Sequence, residues 1–125
     1  MERLNERREF LRAGMNVFIN EQSRTAKLLG KTMDICERGI SYISPAKSPQ
    51  RDSKEVTLEF CLPGDDRPVR ALGRIVYNNT DEHKQGTAIE FTMLRSSDAE
   101  RIRQYVGRRM RAELFEQLHR EHLLN

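Results

Sequence analysis

The sequence predicts a mainly β fold: a small antiparallel β-barrel of about six strands, followed by a long C-terminal α-helix. Two patterns support this prediction. Between residues 13 and 96, short segments alternate apolar and polar side chains, as half-buried strands do. From residue 97 onward, apolar side chains recur at helical spacing. We therefore divide the 125 residues into a flexible arginine-bearing segment (1–12), a barrel (13–96) and a helix (97–125).

The first half of the barrel region contains three predicted strands. Apolar residues alternate over 15–19, a polar turn follows, and a second strand covers 27–33. The segment 34–39 is predicted to interrupt that second strand. A third, short strand then covers 40–45 and ends in a loop rich in serine, proline and lysine.

Three further strands are predicted in the second half of the barrel region. Residues 56–62 alternate most regularly, and the turn sequence 63–66 leads into a strand at 69–77. A hydrophilic loop separates that strand from the last one, at 87–93. The apolar side chains that alternation places on one face of the last strand are Ile89, Phe91 and Met93. Short antiparallel strands at this spacing favour a small barrel or sandwich.

The final segment carries the signals of one long helix. Ser97–Glu100 has the spacing of a capping box. The apolar residues that follow it at helical spacing are Ile102, Val106, Met110, Leu114 and Leu118. A helix reaching Leu123 would be about 39 Å long, which is more than a small barrel can cover. We therefore expect the part from Met110 to Leu124 to fold back, or to mediate self-association or binding of a protein partner.

Composition argues against several classes of protein. The chain has no apolar run of transmembrane length and no signal peptide, so we expect no membrane insertion. Two cysteines form no disulfide framework, which favours a cytoplasmic location. The isoelectric point of about 9.1 suggests a general nucleic-acid binder as one alternative. Acidic residues interrupt the six arginines of the final helix, however, and leave no stripe of one charge, so we expect no nucleic-acid partner.

Paired arginines just before the first strand are the first half of a candidate ligand site. Arg8 and Arg12 are four residues apart, and Arg7 precedes them. Planar guanidinium groups suit phosphate oxygens, the Hoogsteen edge of guanine and the face of a purine. The same R-x-x-x-R spacing also occurs at Arg3/Arg7 and Arg70/Arg74, so the spacing alone is a weak signal.

The second half of the candidate site lies between the second and third predicted strands. Asp34 supplies a carboxyl group that accepts hydrogen bonds from guanine N–H groups. Cys36 supplies a small polar side chain, and Gly39 permits close approach of the backbone. Together with the arginines, these residues indicate a pocket for a guanine nucleotide that carries phosphate.

The order of these two motifs resembles the PilZ domain family. Its signature is R-x-x-x-R followed by [D/N]-x-S-x-x-G, and its usual ligand is cyclic di-GMP. The resemblance covers roughly residues 7–105, because the later elements also follow in the same order. The chain departs from the signature at one position, where Cys36 replaces the serine.

The resemblance implies a receptor for cyclic di-GMP that is not an enzyme and needs no cofactor or metal. The ligand-binding residues that it implies are Arg7, Arg8, Arg12, Asp34, Cys36 and Gly39. Ligand would neutralise the arginine segment and order it against the barrel. The alternative is an adaptor of the same fold that has lost nucleotide binding and acts through protein contacts. The cysteine supports that alternative, whereas the complete pair of arginines argues against it, since non-binding members of the family commonly lack them.

Overall fold

The computed structural model describes residues 12–45, 53–80 and 84–124. Within these ranges the chain forms seven β-strands and one α-helix. The strands are β1 (Ala13–Gly14), β2 (Phe18–Gln22), β3 (Lys27–Cys36), β4 (Gly39–Pro45), β5 (Glu55–Phe60), β6 (Val69–Thr80) and β7 (Lys84–Leu94). The helix, α1, is Ser96–Leu124.

Six of the strands close into an antiparallel barrel. Their order around it is β3, β2, β5, β6, β7 and β4, and β4 pairs back onto β3. The short strand β1 also pairs with β3, beyond the stretch that β2 occupies. The predicted fold class, a small antiparallel barrel followed by a C-terminal helix, is therefore confirmed.

The barrel interior follows the predicted alternation in most strands. In β2 and β5 every second side chain is buried, which reflects the two-residue period of a strand. The largest side chains with almost no exposure include Ile19, Ile40, Leu58 and Tyr42. One polar pair lies in this apolar interior: the Tyr42 hydroxyl donates a hydrogen bond to the buried carboxyl group of Glu21. The pair satisfies two polar groups that would be costly to bury alone.

The second strand is longer than the sequence predicted. We expected residues 34–39 to interrupt it, but β3 continues through Cys36 and only Glu37 and Arg38 form the turn to β4. The irregularity is instead a shift in register between Thr32 and Asp34. Such a bulge changes the direction of the strand without ending it, so a polar segment continues in the sheet.

The prediction that Met93 faces inward with Ile89 is wrong. Gly73 pairs with Phe91, whereas the preceding residue, Leu72, pairs with Met93, so β7 contains one extra residue at this point. The bulge reverses the alternation. Met93 is 66% exposed as a result, and Leu94 packs against the core instead.

Helix α1 packs its first turns against β1 and β3. Ile102, Tyr105 and Val106 are buried against the barrel, and Met110 is partly buried. The Tyr105 hydroxyl donates a hydrogen bond of 2.7 Å to the backbone oxygen of Gly14 in β1. Burial raises the pKa of this tyrosine above its ordinary value. The helix is thus fixed to the strand that directly follows Arg12.

Arg101 holds the start of α1 to the loop between β5 and β6. Its guanidinium donates through Nε to Asp65 Oδ2 at 3.2 Å and through Nη1 to Asp98 Oδ1 at 2.7 Å. The hydrogen bond from Arg101 lowers the pKa of Asp65 below its ordinary value, and the bond to Asp65 raises the pKa of Arg101. Asp98 is buried in the first turn, where an acidic side chain also interacts favourably with the helix dipole.

Beyond Met110, the helix leaves the barrel. Residues 111–121 are all exposed and remain helical, so this part of the chain does not fold back onto the barrel. No helix in the described ranges combines the length and the apolar character needed to cross a membrane.

We expect Tyr42→Phe to destabilise the barrel more than Tyr105→Phe, although both changes remove one hydroxyl. Tyr42 donates to a buried carboxyl group, and loss of a partner in that setting costs about 1–3 kcal/mol. Tyr105 donates to a neutral carbonyl oxygen in a partly buried position, where the net loss is about 0.5–1.5 kcal/mol. Urea unfolding measures both free energies. Equal losses would contradict the importance assigned to the Glu21–Tyr42 pair.

Candidate ligand-binding site

Pairing of β1 with β3 brings the two sequence motifs together. Ala13 pairs with Ile35 and Gly14 with Asp34, so Arg12 lies beside the end of β3. Its Nε donates to Asp34 Oδ1 at 2.9 Å, and its Nη1 lies 3.9 Å from Cys36 Sγ. Three of the predicted ligand-binding residues therefore form one contiguous group.

Ser41 belongs to this group, although we did not predict it from the sequence. It lies opposite Asp34 in the β3–β4 pair, and its Oγ donates to Asp34 Oδ1 at 2.9 Å. The sequence contained a usable signal: a two-residue turn at Glu37 and Arg38 sets Cys36 opposite Gly39, and hence Asp34 opposite Ser41. Ser41 thus supplies a hydroxyl group to Asp34, two residues before the position where the family signature has its serine.

The ion pair between Arg12 and Asp34 is half-exposed. Their side chains are 45% and 37% accessible, respectively. Exposed pairs of this kind contribute on the order of 0–1 kcal/mol, because water solvates both charges well. Either partner can therefore exchange the other for a ligand group at little cost.

Cys36 is a buried free thiol, with 3% of its surface exposed. A buried thiol behaves as a small apolar group with weak hydrogen-bonding capacity. The 3.9 Å contact from Arg12 is consistent with such a weak acceptor. Cys36 can thus fill the position of a serine without offering a strong donor to a ligand.

Gly39 lies directly against the backbone of a neighbouring strand. A β-carbon at this position would lie 2.2 Å from the carbonyl oxygen of Ile89 in β7. We expected the glycine to permit close approach of the backbone, and in the structure the backbone that it meets is that of β7. The hydrogen bond from the Phe91 amide to the Arg38 carbonyl, 2.8 Å long, holds the two strands at this distance.

An open groove of about 520 Å³ adjoins the β3–β4 turn. It lies between that turn, the end of β7 and the first turns of α1, and its polar lining residues are Glu37, Arg38, Glu90, Thr92 and Arg103. Arg103 Nη1 lies 3.1 Å from Glu37 Oε2, so the helix contacts the motif turn directly. Two further clefts, of about 450 and 490 Å³, contain none of the motif residues, and we assign no part of the site to them.

The other arginines with this spacing are either outside the described residues or on the barrel surface. Arg7 and Arg8 lie outside the described residues. Arg70 and Arg74 share the R-x-x-x-R spacing, but they lie in β6 and pair with Glu59 and Glu90 on the barrel surface. Within the described ranges, no cluster of three or more histidine, cysteine, aspartate or glutamate side chains is arranged to hold a metal.

A sequence model of the family described as the PilZ domain matches residues 6–108, which is most of the chain. The chain belongs to the PilZ domain family. The match includes both motifs, the barrel and the part of α1 that packs against it. No curated protein sequence matches the chain significantly.

Solved structures share the fold at low sequence identity. The Bacillus subtilis inhibitor of motility, MotI/DgrA, has a TM-score of 0.71 at 16% identity, over 82% of this chain and 50% of that one. The PilZ domain of YcgR from Escherichia coli with c-di-GMP has a TM-score of 0.65 at 9% identity, covering 89% and 97% of the two chains. PlzA of Borreliella burgdorferi in complex with c-di-GMP has a TM-score of 0.56 at 11% identity, covering 91% and 49%. This PilZ chain thus spans about half the length of MotI and of PlzA.

We expect Gly39→Ala to destabilise the barrel whether or not a ligand is present. The added methyl group would meet a backbone oxygen, which cannot move aside as a flexible side chain can, and overpacking of this kind costs about 1–3 kcal/mol. Gly86→Ala, in the partner strand β7, is the matched control because a β-carbon there meets nothing within 4 Å. Thermal or urea unfolding compares the two. If the Gly39→Ala protein is as stable as wild type, the glycine is not needed for packing against β7, and only a role in ligand binding is left.

Proposed function

We propose that this protein is a non-enzymatic receptor for the bacterial second messenger cyclic di-GMP. The observation that carries the proposal is the contact between Arg12 and Asp34, because it joins the two halves of the family signature in one place. Membership of the PilZ family and structural similarity to PilZ proteins in complex with c-di-GMP support it. Binding of this kind needs no cofactor. A cytoplasmic location follows from the proposed ligand, which is an intracellular messenger.

The proposed binding exchanges internal contacts for ligand contacts. Arg8 and Arg12 direct their guanidinium groups to guanine edges and phosphates, and Arg7 adds a further positive charge. Asp34, once released by Arg12, accepts hydrogen bonds from guanine N–H groups. Cys36 takes the place of the serine in the family signature, and Gly39 keeps β4 close to β7 beneath the site.

Ordering of the N-terminal segment is the proposed signal. Two phosphates of the ligand neutralise the cluster of Arg7, Arg8 and Arg12 and fix it against the barrel. Helix α1 is in a position to respond, because Tyr105 is bonded to Gly14. The exposed part of the helix, from Met110 to Leu124, is then the proposed contact with a protein partner or a second copy.

One observation favours a second candidate function, an adaptor that has lost nucleotide binding. Cys36 is buried and offers only a weak hydrogen bond where the family signature has serine. Such a protein would act through protein contacts of the exposed helix alone. Direct titration with cyclic di-GMP separates the two functions.

We expect isothermal titration calorimetry to detect cyclic di-GMP binding at micromolar affinity or tighter. Arg8→Ala and Arg12→Ala should each weaken binding at least about tenfold, because a charge-assisted bidentate contact is worth roughly 1.5–3 kcal/mol. Arg70→Ala is the matched control: it removes an exposed arginine of the same spacing that is paired with Glu59, away from the motif residues.

Arg74→Ala is a less suitable control, since Arg74 pairs with Glu90 at the edge of the groove beside Gly39. Unchanged affinity in both the Arg8→Ala and Arg12→Ala proteins, or no binding by the wild type, would favour the adaptor function.

Cys36→Ser should tighten binding a few-fold and at most about tenfold. A serine hydroxyl adds a neutral hydrogen bond worth roughly 0.5–1.5 kcal/mol, which the thiol makes poorly. Asp34→Ala should nearly abolish binding, because guanine donors would be left unpaired. Calorimetry of the three proteins tests this order.

An alternative role for Cys36 is a redox gate, in which oxidation of the thiol prevents ligand binding. Repeating the titrations of wild type and Cys36→Ser after peroxide treatment distinguishes the two roles. Loss of wild-type binding only after peroxide would favour the gate, and weaker binding by Cys36→Ser than by wild type would contradict simple replacement of the serine.

A further inference from the structure

The outer segment of helix α1, residues 110–124, carries an apolar stripe that nothing in the described chain covers. Leu114, Phe115 and Leu118 are 56%, 72% and 55% exposed. At 100° per residue these three side chains lie within about 100° of one another, so they share one face of the helix. The face lies on the side of the helix roughly opposite Ile102 and Tyr105, which pack against the barrel, so it is separate from the docked face.

The outer segment of the helix lacks the packing that normally stabilises a helix, and a binding partner would supply it. The segment continues a docked helix for about 22 Å, a length at which a helix without packing partners is marginal in water. Helices in proteins gain most of their stability from packing of an apolar face. Because residues 111–121 are exposed along their whole length, the described part of the chain provides no such packing.

The distribution of charge identifies the partner. At 100° per residue, Arg111 and Glu121 fall on the same face as the apolar stripe, at its inner and outer ends. The opposite face pairs its own charges: Arg109 lies 3.5 Å from Glu113, and Arg120 lies 3.6 Å from Glu116. The stripe therefore has a positive inner end and a negative outer end, and is complementary to a copy of itself in the reverse direction.

We propose that two copies of this protein pair through antiparallel outer segments. With Leu114 of each copy opposite Leu118 of the other, the same register sets Arg111 opposite Glu121 at both ends. Phe115 lies near the two-fold axis, beside the paired leucines. The interface is isologous, as closed dimers require, and the two barrels lie at opposite ends of the helix pair.

A parallel pair would bury the same stripe but lacks this complementarity. Arg111 would lie beside Arg111 of the second copy, and Glu121 beside Glu121, so like charges would repel at both ends. Parallel pairing would also bring the two barrels to the same end. The antiparallel arrangement satisfies the apolar and the charged groups together.

Sedimentation equilibrium of the full-length protein, without ligand, tests the dimer. We expect a concentration-dependent dimer in the wild type, and a monomer in Leu114→Glu and in Leu118→Glu. Glu116→Arg, which changes a charge on the opposite face, is the control and should dimerise as wild type does. Far-UV circular dichroism and urea unfolding establish that each variant is folded. A wild type that remains monomeric at several hundred micromolar would overturn the proposal, as would unchanged association of both leucine variants.

Charge exchange tests the direction of pairing. Arg111→Glu and Glu121→Arg should each weaken the dimer about tenfold, because each places like charges opposite one another at both ends. An equimolar mixture of the two variants should restore wild-type association, since every contact again joins opposite charges. In a parallel pair, Arg111→Glu would instead associate best with wild type, and that result would overturn the antiparallel register. These measurements are independent of the proposed ligand, so they can fail or succeed without bearing on nucleotide binding.

Discussion

The short antiparallel pairing of β1 with the end of β3 is the constraint on which the rest of the site depends. Only two residue pairs form it, Ala13 with Ile35 and Gly14 with Asp34. This pairing places Arg12 beside the carboxyl group of Asp34, which lies 22 residues later in the sequence. Tyr105 holds the same strand from the other side through the Gly14 carbonyl. Loss of this ladder would separate the two halves of the signature and remove the hydrogen bond through which Tyr105 ties the helix to β1.

An ion pair inside the proposed ligand site must be weak if a ligand is to displace it. The exposure of Arg12 and Asp34 meets that requirement, because solvent screening limits the pair to about 1 kcal/mol or less. A ligand that displaces it therefore loses at most about fivefold in affinity. In return, the pair keeps Arg12 at the site before ligand arrives, which reduces the ordering that binding must impose.

The barrel and the helix could be predicted from the periodicity of apolar residues in the sequence, whereas the local geometry of the site could not. Alternation identified the strands, but a single extra residue in β7 turned Met93 outward, and no pattern in the sequence marks that bulge. Arg12, Asp34 and Cys36 were found from spacing because they belong to a motif. The contact of Ser41 with Asp34, and that of Gly39 with β7, are set by which strands pair with one another. Such contacts become visible only when the register is known.

One continuous helix connects the candidate site to the outer segment. Arg103 contacts Glu37 in the motif turn, and Tyr105 contacts Gly14 in the strand that follows Arg12, so the base of the helix contacts the turn of one motif and the strand next to the other. From Tyr105, a continuous helix extends about 28 Å to Leu124. Small rearrangements of packed elements are transmitted by such rigid bodies rather than absorbed. A tilt of about 10° at the base would move the far end by about 5 Å, which is one helical turn. Contacts made by the outer segment are therefore the part of the molecule most sensitive to events at the arginine motif.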